Sequence, residues 1–224
     1  MAKFYKWKNT VKANLNPVVY QGNRVVYNWV GWCLAVAQTA LKAGWAGSTA
    51  IDGWRRVKGK HSDTKIPTGV YVPLWFSGFY NMGHVLIVKM NSNGKSGTAW
   101  TSPNDAKPRM DVLKFKSISD LVAQLRRGWA ADTKYLGWSE YMGSTRVIKK
   151  TAYKRAFTAR VNVRVRNKPS VGALPSGSRM TKKGKKFYAV EVVKGGSYVG
   201  HDGKKHTSWL KSQHGNYTAR HWYK

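Results

Sequence analysis

The chain holds one thiol, Cys33, and the residues after it are Leu34-Ala35-Val36-Ala37-Gln38-Thr39-Ala40-Leu41-Lys42-Ala43-Gly44. Strong helix formers, apolar spacing and a closing glycine predict a helix that starts near Cys33 and is capped at Gly44. Gly31 allows a tight turn into it. The position has chemical consequences, because a thiol attacks an acyl carbon as thiolate and free cysteine, pKa ~8.5, is mostly protonated at neutral pH. Unpaired N–H groups at a helix start favour a negative sulfur and can bind the oxyanion of a tetrahedral intermediate. A histidine that takes the thiol proton and returns it to a leaving amine would complete the set.

Six histidines could serve. His201, His206, His214 and His221 fall in the C-terminal third, and His61 lies in a polar Lys-His-Ser-Asp stretch. His84 opens an apolar run in the same region as Cys33, after Asn81-Met82-Gly83, where the glycine lets backbone approach a substrate. On residue type alone both readings stay open: a lone cysteine on an apolar helix face more often packs than reacts. The single cysteine does exclude an internal disulfide or a CxxC pair.

The elements that would position these residues follow from periodicity. Val70–Phe76, His84–Met90 and Gly97–Thr101 are β-branched and aromatic runs separated by turn residues, and they predict consecutive antiparallel strands. Pro73 assigns the first to a sheet edge or a bulge. A helix is predicted over 119–127, with Ser119 as its cap. From Thr151 onward, alternating stretches such as Arg160–Arg166 and Lys186–Val193, broken by Gly, Pro and Ser, predict a small all-β barrel. The fold class is therefore α+β, with domains at 1–148 and 151–224.

Charge points to a polyanionic partner: 40 Lys+Arg against 9 Asp+Glu give a net +31. The segment 150–224 carries 18 basic and 2 acidic residues, about twice the charge density of the rest. Nucleic acid, anionic lipid and phosphate-rich wall polymers satisfy this field equally. The N-terminal residues Met1–Lys8 lead into no signal-peptide apolar run, and nothing reaches the ~20 apolar residues of a membrane span. The expectation is a monomer made in the cytoplasm without a signal peptide, with no membrane partner.

Asn28-Trp29-Val30-Gly31-Trp32-Cys33-Leu34-Ala35-Val36-Ala37, followed by Gly83-His84-Val85-Leu86-Ile87-Val88, resembles the two signatures of CHAP domains, the cysteine/histidine-dependent amidohydrolase/peptidase family. Trp100-Thr101-Ser102-Pro103 and Tyr135-Leu136-Gly137-Trp138-Ser139-Glu140 resemble segments of CHAP-like phage lysins. The resemblance spans residues 25 to 145 and implies a papain-like domain, its first helix packed on an antiparallel sheet. Cys33 would be the nucleophile and His84 the base of a phage endolysin cutting an amide or peptide bond of peptidoglycan, with no cofactor and no metal. The family's third residue, an Asn, Asp or Glu on the next strand, has no direct counterpart. Ser102 has the better position for that role and Asp105 the better chemistry. Trp32 stands where the family often has a polar residue, which leaves the Cys33 N–H as oxyanion donor.

Val161-Asn162-Val163-Arg164-Val165-Arg166-Asn167-Lys168-Pro169-Ser170 resembles the opening of bacterial SH3-like wall-binding domains. This implies that the barrel binds peptidoglycan and anionic wall polymers, and that the protein acts at the bacterial cell wall. Two other readings compete: an NlpC-type wall peptidase with the same Cys-then-His order, and a non-enzymatic basic nucleic-acid binder, which leaves the Gly-Trp-Cys and Gly-His-Val segments unexplained.

Overall fold

The structure, a computed structural model, describes residues 2–224, with backbone alone at Ala2, Lys3 and Ser178. The chain forms two compact units, residues 7–149 and residues 150–224 joined by residues 2–6. The fold is mixed α+β, with mostly antiparallel sheets and three α-helices.

In the larger unit, six strands build one sheet: β1 (Lys60–His61), β2 (Tyr71–Ser77), β3 (His84–Met90), β4 (Gly97–Thr101), β5 (Asp111–Phe115) and β6 (Lys134–Ser139). Their order is β1-β6-β2-β3-β4-β5, antiparallel throughout. The helices are α1 (Cys33–Ala40), α2 (Ala50–Arg56) and α3 (Ile118–Gly128). Successive strand residues face opposite sides, so the nearly unbroken apolar runs of β2 and β3 serve two cores. Trp75, Val85 and Ile87 pack with Val36, Ala37 and Leu41 in one cluster, while Leu74, Phe76, Leu86 and Val88 pack with Leu121 and Leu125 in the other. Each fully buried side chain of this size contributes roughly 1.5–3 kcal/mol.

Three local expectations are corrected. Pro73 lies in an interior strand, not at an edge: β2 runs between β6 and β3, and Pro73 pairs with Ile87. The β6 ladder reaches only to Leu74, opposite Trp138, so the missing N–H of Pro73 breaks no pairing on that side. Helix α1 ends at Ala40, before Gly44; the left-handed residue is Lys42, φ 52°, and Ala43 N–H donates to Gln38 C=O at 2.8 Å to close the turn. The cap of α3 is Ser117, whose hydroxyl accepts from Asp120 N–H at 3.1 Å, while the Asp120 carboxylate accepts from Lys116 N–H at 2.8 Å. Helix α2, which strand and helix periodicity leaves unmarked, starts from Thr49 in the same way, its hydroxyl accepting from Asp52 N–H.

The smaller unit is all-β. Its strands are β7 (Arg155–Thr158), β8 (Val163–Arg166), β9 (Pro175–Thr181), β10 (Lys186–Ala189), β11 (Glu191–Val199), β12 (Lys205–Lys211) and β13 (Tyr217–Ala219). The N-terminal strand Ala2–Lys3 joins β11, β12, β13, β8 and β9 in a six-stranded sheet, and β7 pairs separately with β10. The all-β expectation holds here, but strand pairing closes no barrel: the ladder is an open sheet plus a two-stranded ribbon, with breaks in register at Arg164/Arg166 and Lys194/Tyr198.

Replacing Ser117 by Ala is expected to cost about 1 kcal/mol of stability, and Ser119→Ala, at an exposed non-capping site, less than half of that. Urea unfolding of the two variants compares them directly.

Candidate functional site

Helix α1 delivers Cys33 at its first residue. The cap residue, Trp32, makes no side-chain cap bond, so the first-turn amides are left for other acceptors. The backbone amides of Cys33 and Leu34, with that of Val85 from β3, favour a negative sulfur, but burial outweighs them and pushes the thiol up to about 11.

His84 opens β3 and is 3% exposed. Its Nε2 lies 2.6 Å from Thr101 Oγ1, at the end of β4. Phe79 stacks on the ring, with centroids 4.6 Å apart and planes at 14°. Burial holds the imidazole down to about 3. Cys33 and His84 are therefore a neutral thiol and a neutral imidazole at rest.

The turn that presents Phe79 is strained. Phe79, Tyr80 and Asn81 all have φ between 54° and 63°, a left-handed run that costs about 1–3 kcal/mol per non-glycine residue. Asp132 holds it by accepting from Phe79 N–H at 3.1 Å, and Gly83 N–H closes it onto Gly78 C=O. Gly83, φ 69°, is required as glycine, since a Cβ there would sit 2.8 Å from Ile51 N and 2.9 Å from Phe76 O.

Cys33, His84 and Ser102 line one cleft of about 640 Å³, together with Val30, Gly31, Leu34, Met82, Tyr80 and Trp129. Tyr80 and Met82 stand on it as exposed side chains. Of the two residues weighed as orienters, Ser102 is buried at the cleft and its C=O accepts from Trp129 Nε1 at 3.3 Å. Asp105 is not brought to the cleft: it is exposed, paired with Lys107 at 2.8 Å, and that ammonium lowers its carboxyl pKa. The group on the imidazole is Thr101, which the family pattern does not mark for this role; its signal in the sequence is its place on the buried face of β4, in line with Gly97 and Ala99. His61 lies elsewhere, stacked on Trp138 and 3.4 Å from Glu140.

Among the described residues, the group of side chains that could hold a metal ion is Asp202, His206 and His221 in the smaller unit, where Asp202 already binds His206 Nε2 at 2.8 Å. Among them, no helix is long and apolar enough to cross a membrane.

No family model and no curated protein matches the chain. Among solved structures it is similar to the crystal structure of Ly7917, at 15% identity and a TM-score of 0.32, covering 96% of this chain and 94% of that one. It is also similar to Ly7917 with the hydrolyzing product of MDP, at 15% identity and a TM-score of 0.30, covering 95% and 94% of the two chains. The solution structure of lysostaphin matches at 13% identity and a TM-score of 0.19, covering 75% and 84%. At these scores the likenesses carry no argument about fold or activity.

The two buried groups make stability depend on pH on both sides. An unfolded histidine takes up its proton near 6.5 and folded His84 near 3, so its contribution is whole above pH 6.5 and drains below it at about 1.4 kcal/mol per pH unit. An unfolded cysteine ionises near 9 and folded Cys33 near 11, so stability falls again above pH 9. Urea midpoints from pH 4 to 10 should fall at both ends, with a shallower acid limb in His84→Gln.

Proposed function

We propose that the chain is a CHAP-type peptidoglycan hydrolase of the phage-lysin kind, cutting an amide or peptide bond of the bacterial cell wall through Cys33 and His84. The observation that carries this reading is the shared cleft: the only thiol of the chain and a buried imidazole line it together, with helix-start amides that favour a negative sulfur. Residues 7–149 would form the papain-like catalytic domain, and the smaller unit an SH3-like wall-binding domain.

The chemistry follows from the protonation states. With His84 Nε2 on Thr101, Nδ1 is the nitrogen left for the thiol. A neutral pair reacts by general-base catalysis: the Sγ–H proton passes to the imidazole as sulfur bonds to the carbonyl carbon. The carbonyl oxygen becomes an oxyanion that the Cys33 and Leu34 N–H groups can receive. The imidazolium keeps its Nε2–H on Thr101 Oγ1, the bond that at rest leaves Nδ1 free as the base. Its other proton goes to the leaving amine as the C–N bond breaks, giving a thioester. Water, deprotonated by His84, attacks that thioester and frees the carboxylate and the thiol.

Thr101 differs from a carboxylate orienter in kind. It supplies a neutral acceptor, so the imidazolium is stabilised only as it forms, and the low affinity of buried His84 for protons is left uncorrected. Ser102 would serve the cleft wall, and Asp105 would have no catalytic part. The protein would be made in the host cytoplasm and act at the wall, its charge drawing it to anionic polymers.

Four results test this. Cys33→Ala should fold, bind walls and fail to release soluble fragments, whereas lysis near the parent rate would overturn the assignment. Mass spectrometry of parent digests should find new amino termini or freed lactyl groups. Thr101→Val should lose roughly 10–100-fold in rate, the worth of one hydrogen bond to a charged group. Finally, iodoacetamide should label Cys33 slowly at pH 7 and about tenfold faster per pH unit toward 11, as expected of a buried neutral thiol.

A further inference from the structure

The smaller unit contains two carboxylates, Glu191 and Asp202, and both are engaged: Glu191 lies 3.7 Å from Lys211 Nζ, and Asp202 binds His206. Four other cations of the unit converge. Arg155, Arg160, Arg220 and Lys224, with His201, His221 and the carboxylate Asp202, line a cavity of about 460 Å³, a volume within the ~300–1,000 Å³ of ligand pockets.

The cavity is built from three chain segments that are tied together. Arg160 N–H donates to Trp222 C=O at 2.8 Å, Thr158 and Lys224 exchange backbone bonds at 3.0 Å each way, and Ala159 bridges Tyr223. His221 N–H donates to Tyr198 Oη at 3.2 Å. The cations are thus mounted on fixed backbone, at segment ends where like charges would otherwise spread apart. Four cations against the one carboxylate of Asp202 leave the hollow with a net positive field, which an anion relieves.

The cavity walls discriminate between polyanions. Phe157 and Tyr223 are buried in the core of the unit, and the two imidazoles of the lining are already engaged, His221 stacked on His206 and His201 edge-on to Trp222. Single-stranded nucleic acid is normally held by free ring platforms as well as by charge. The lining therefore favours recognition of a phosphate backbone, with Arg forks matched to phosphate oxygens.

From this we propose that the cavity between the Arg155–Arg160 segment, the His201–Asp202 turn and the Arg220–Lys224 segment is a binding site for a polyol-phosphate chain, a base-free phosphodiester polymer. The choice of this polymer deepens the wall-hydrolase reading and rests on it; the phosphate specificity of the cavity does not.

The test uses the full-length chain with Cys33→Ala, so that binding is read without cutting. Its probes are a glycerol-phosphate oligomer, a single-stranded DNA with the same number of phosphates, and polyglutamate of matched charge. R160Q/R220Q should weaken glycerol-phosphate binding about tenfold or more and lower the slope of log K against log salt by about one to two. K182Q/K183Q removes the same charge from exposed residues outside the cavity and should stay within about twofold, as screened surface charges do. Thermal unfolding checks each fold, and R155Q/K224Q carries the same expectation if the first pair does not fold. Equal losses from the cavity and control pairs would overturn the site, since only overall charge would then matter. DNA or polyglutamate bound as tightly as glycerol phosphate, with the same sensitivity to R160Q/R220Q, would overturn the ligand. Wall cutting by the parent is measured separately, on walls stripped of anionic polymer: cutting there with no oligomer binding rejects the cavity alone, and oligomer binding with no cutting rejects the hydrolase alone.

Discussion

The contact on which the larger unit depends is the packing of α1 against β3. One face of the helix, Cys33, Val36, Ala37 and Ala40, meets Val85 and Ile87 in a single apolar cluster. Because the thiol stands at the helix start and the imidazole at the strand start, the packing that buries this core also brings both groups to one cleft. His84 meets Thr101 across the ends of β3 and β4, so the register of these strands fixes which hydroxyl reaches the imidazole.

That packing sets the electrostatics. Both groups lose solvent and neither gains an opposite charge, so each is held in its neutral form, the sulfur by burial against the pull of nearby amides and the imidazole by burial with a hydroxyl partner. Phe79 seals one face of the ring, and it is held there by a left-handed turn tied to Asp132. Local strain is thus spent on excluding water from the imidazole, and the cost is carried by the rest of the sheet.

The smaller unit works by a different balance. Its aromatic and aliphatic residues go into two small clusters, and nearly all its charge is left outside with one sign. Self-repulsion of this kind opposes compactness. The N-terminal residues help to offset it: Ala2 and Lys3 extend the sheet beside β11, and Phe4 packs its ring against Tyr153 and Phe157.

The amino-acid sequence by itself was enough to mark the elements that rest on local signals. Apolar spacing gave α1, α3, β3 and β4, and residue type singled out the one cysteine and the one histidine opening an apolar strand. The charge asymmetry is purely compositional. Tertiary structure decided what depends on neighbours distant in the chain. Pro73 is interior because the β6 ladder stops one residue short of it, and the C-terminal strands leave their sheet open. The partner of His84 was decided in the same way. Thr101 is an ordinary strand residue by type, and only the alignment of β3 beside β4 puts its hydroxyl on Nε2 and leaves the better acid, Asp105, with Lys107 at the surface. Helix starts and strand periods are local properties of the chain, whereas the partner of a buried polar atom is fixed by the register in which distant strands meet.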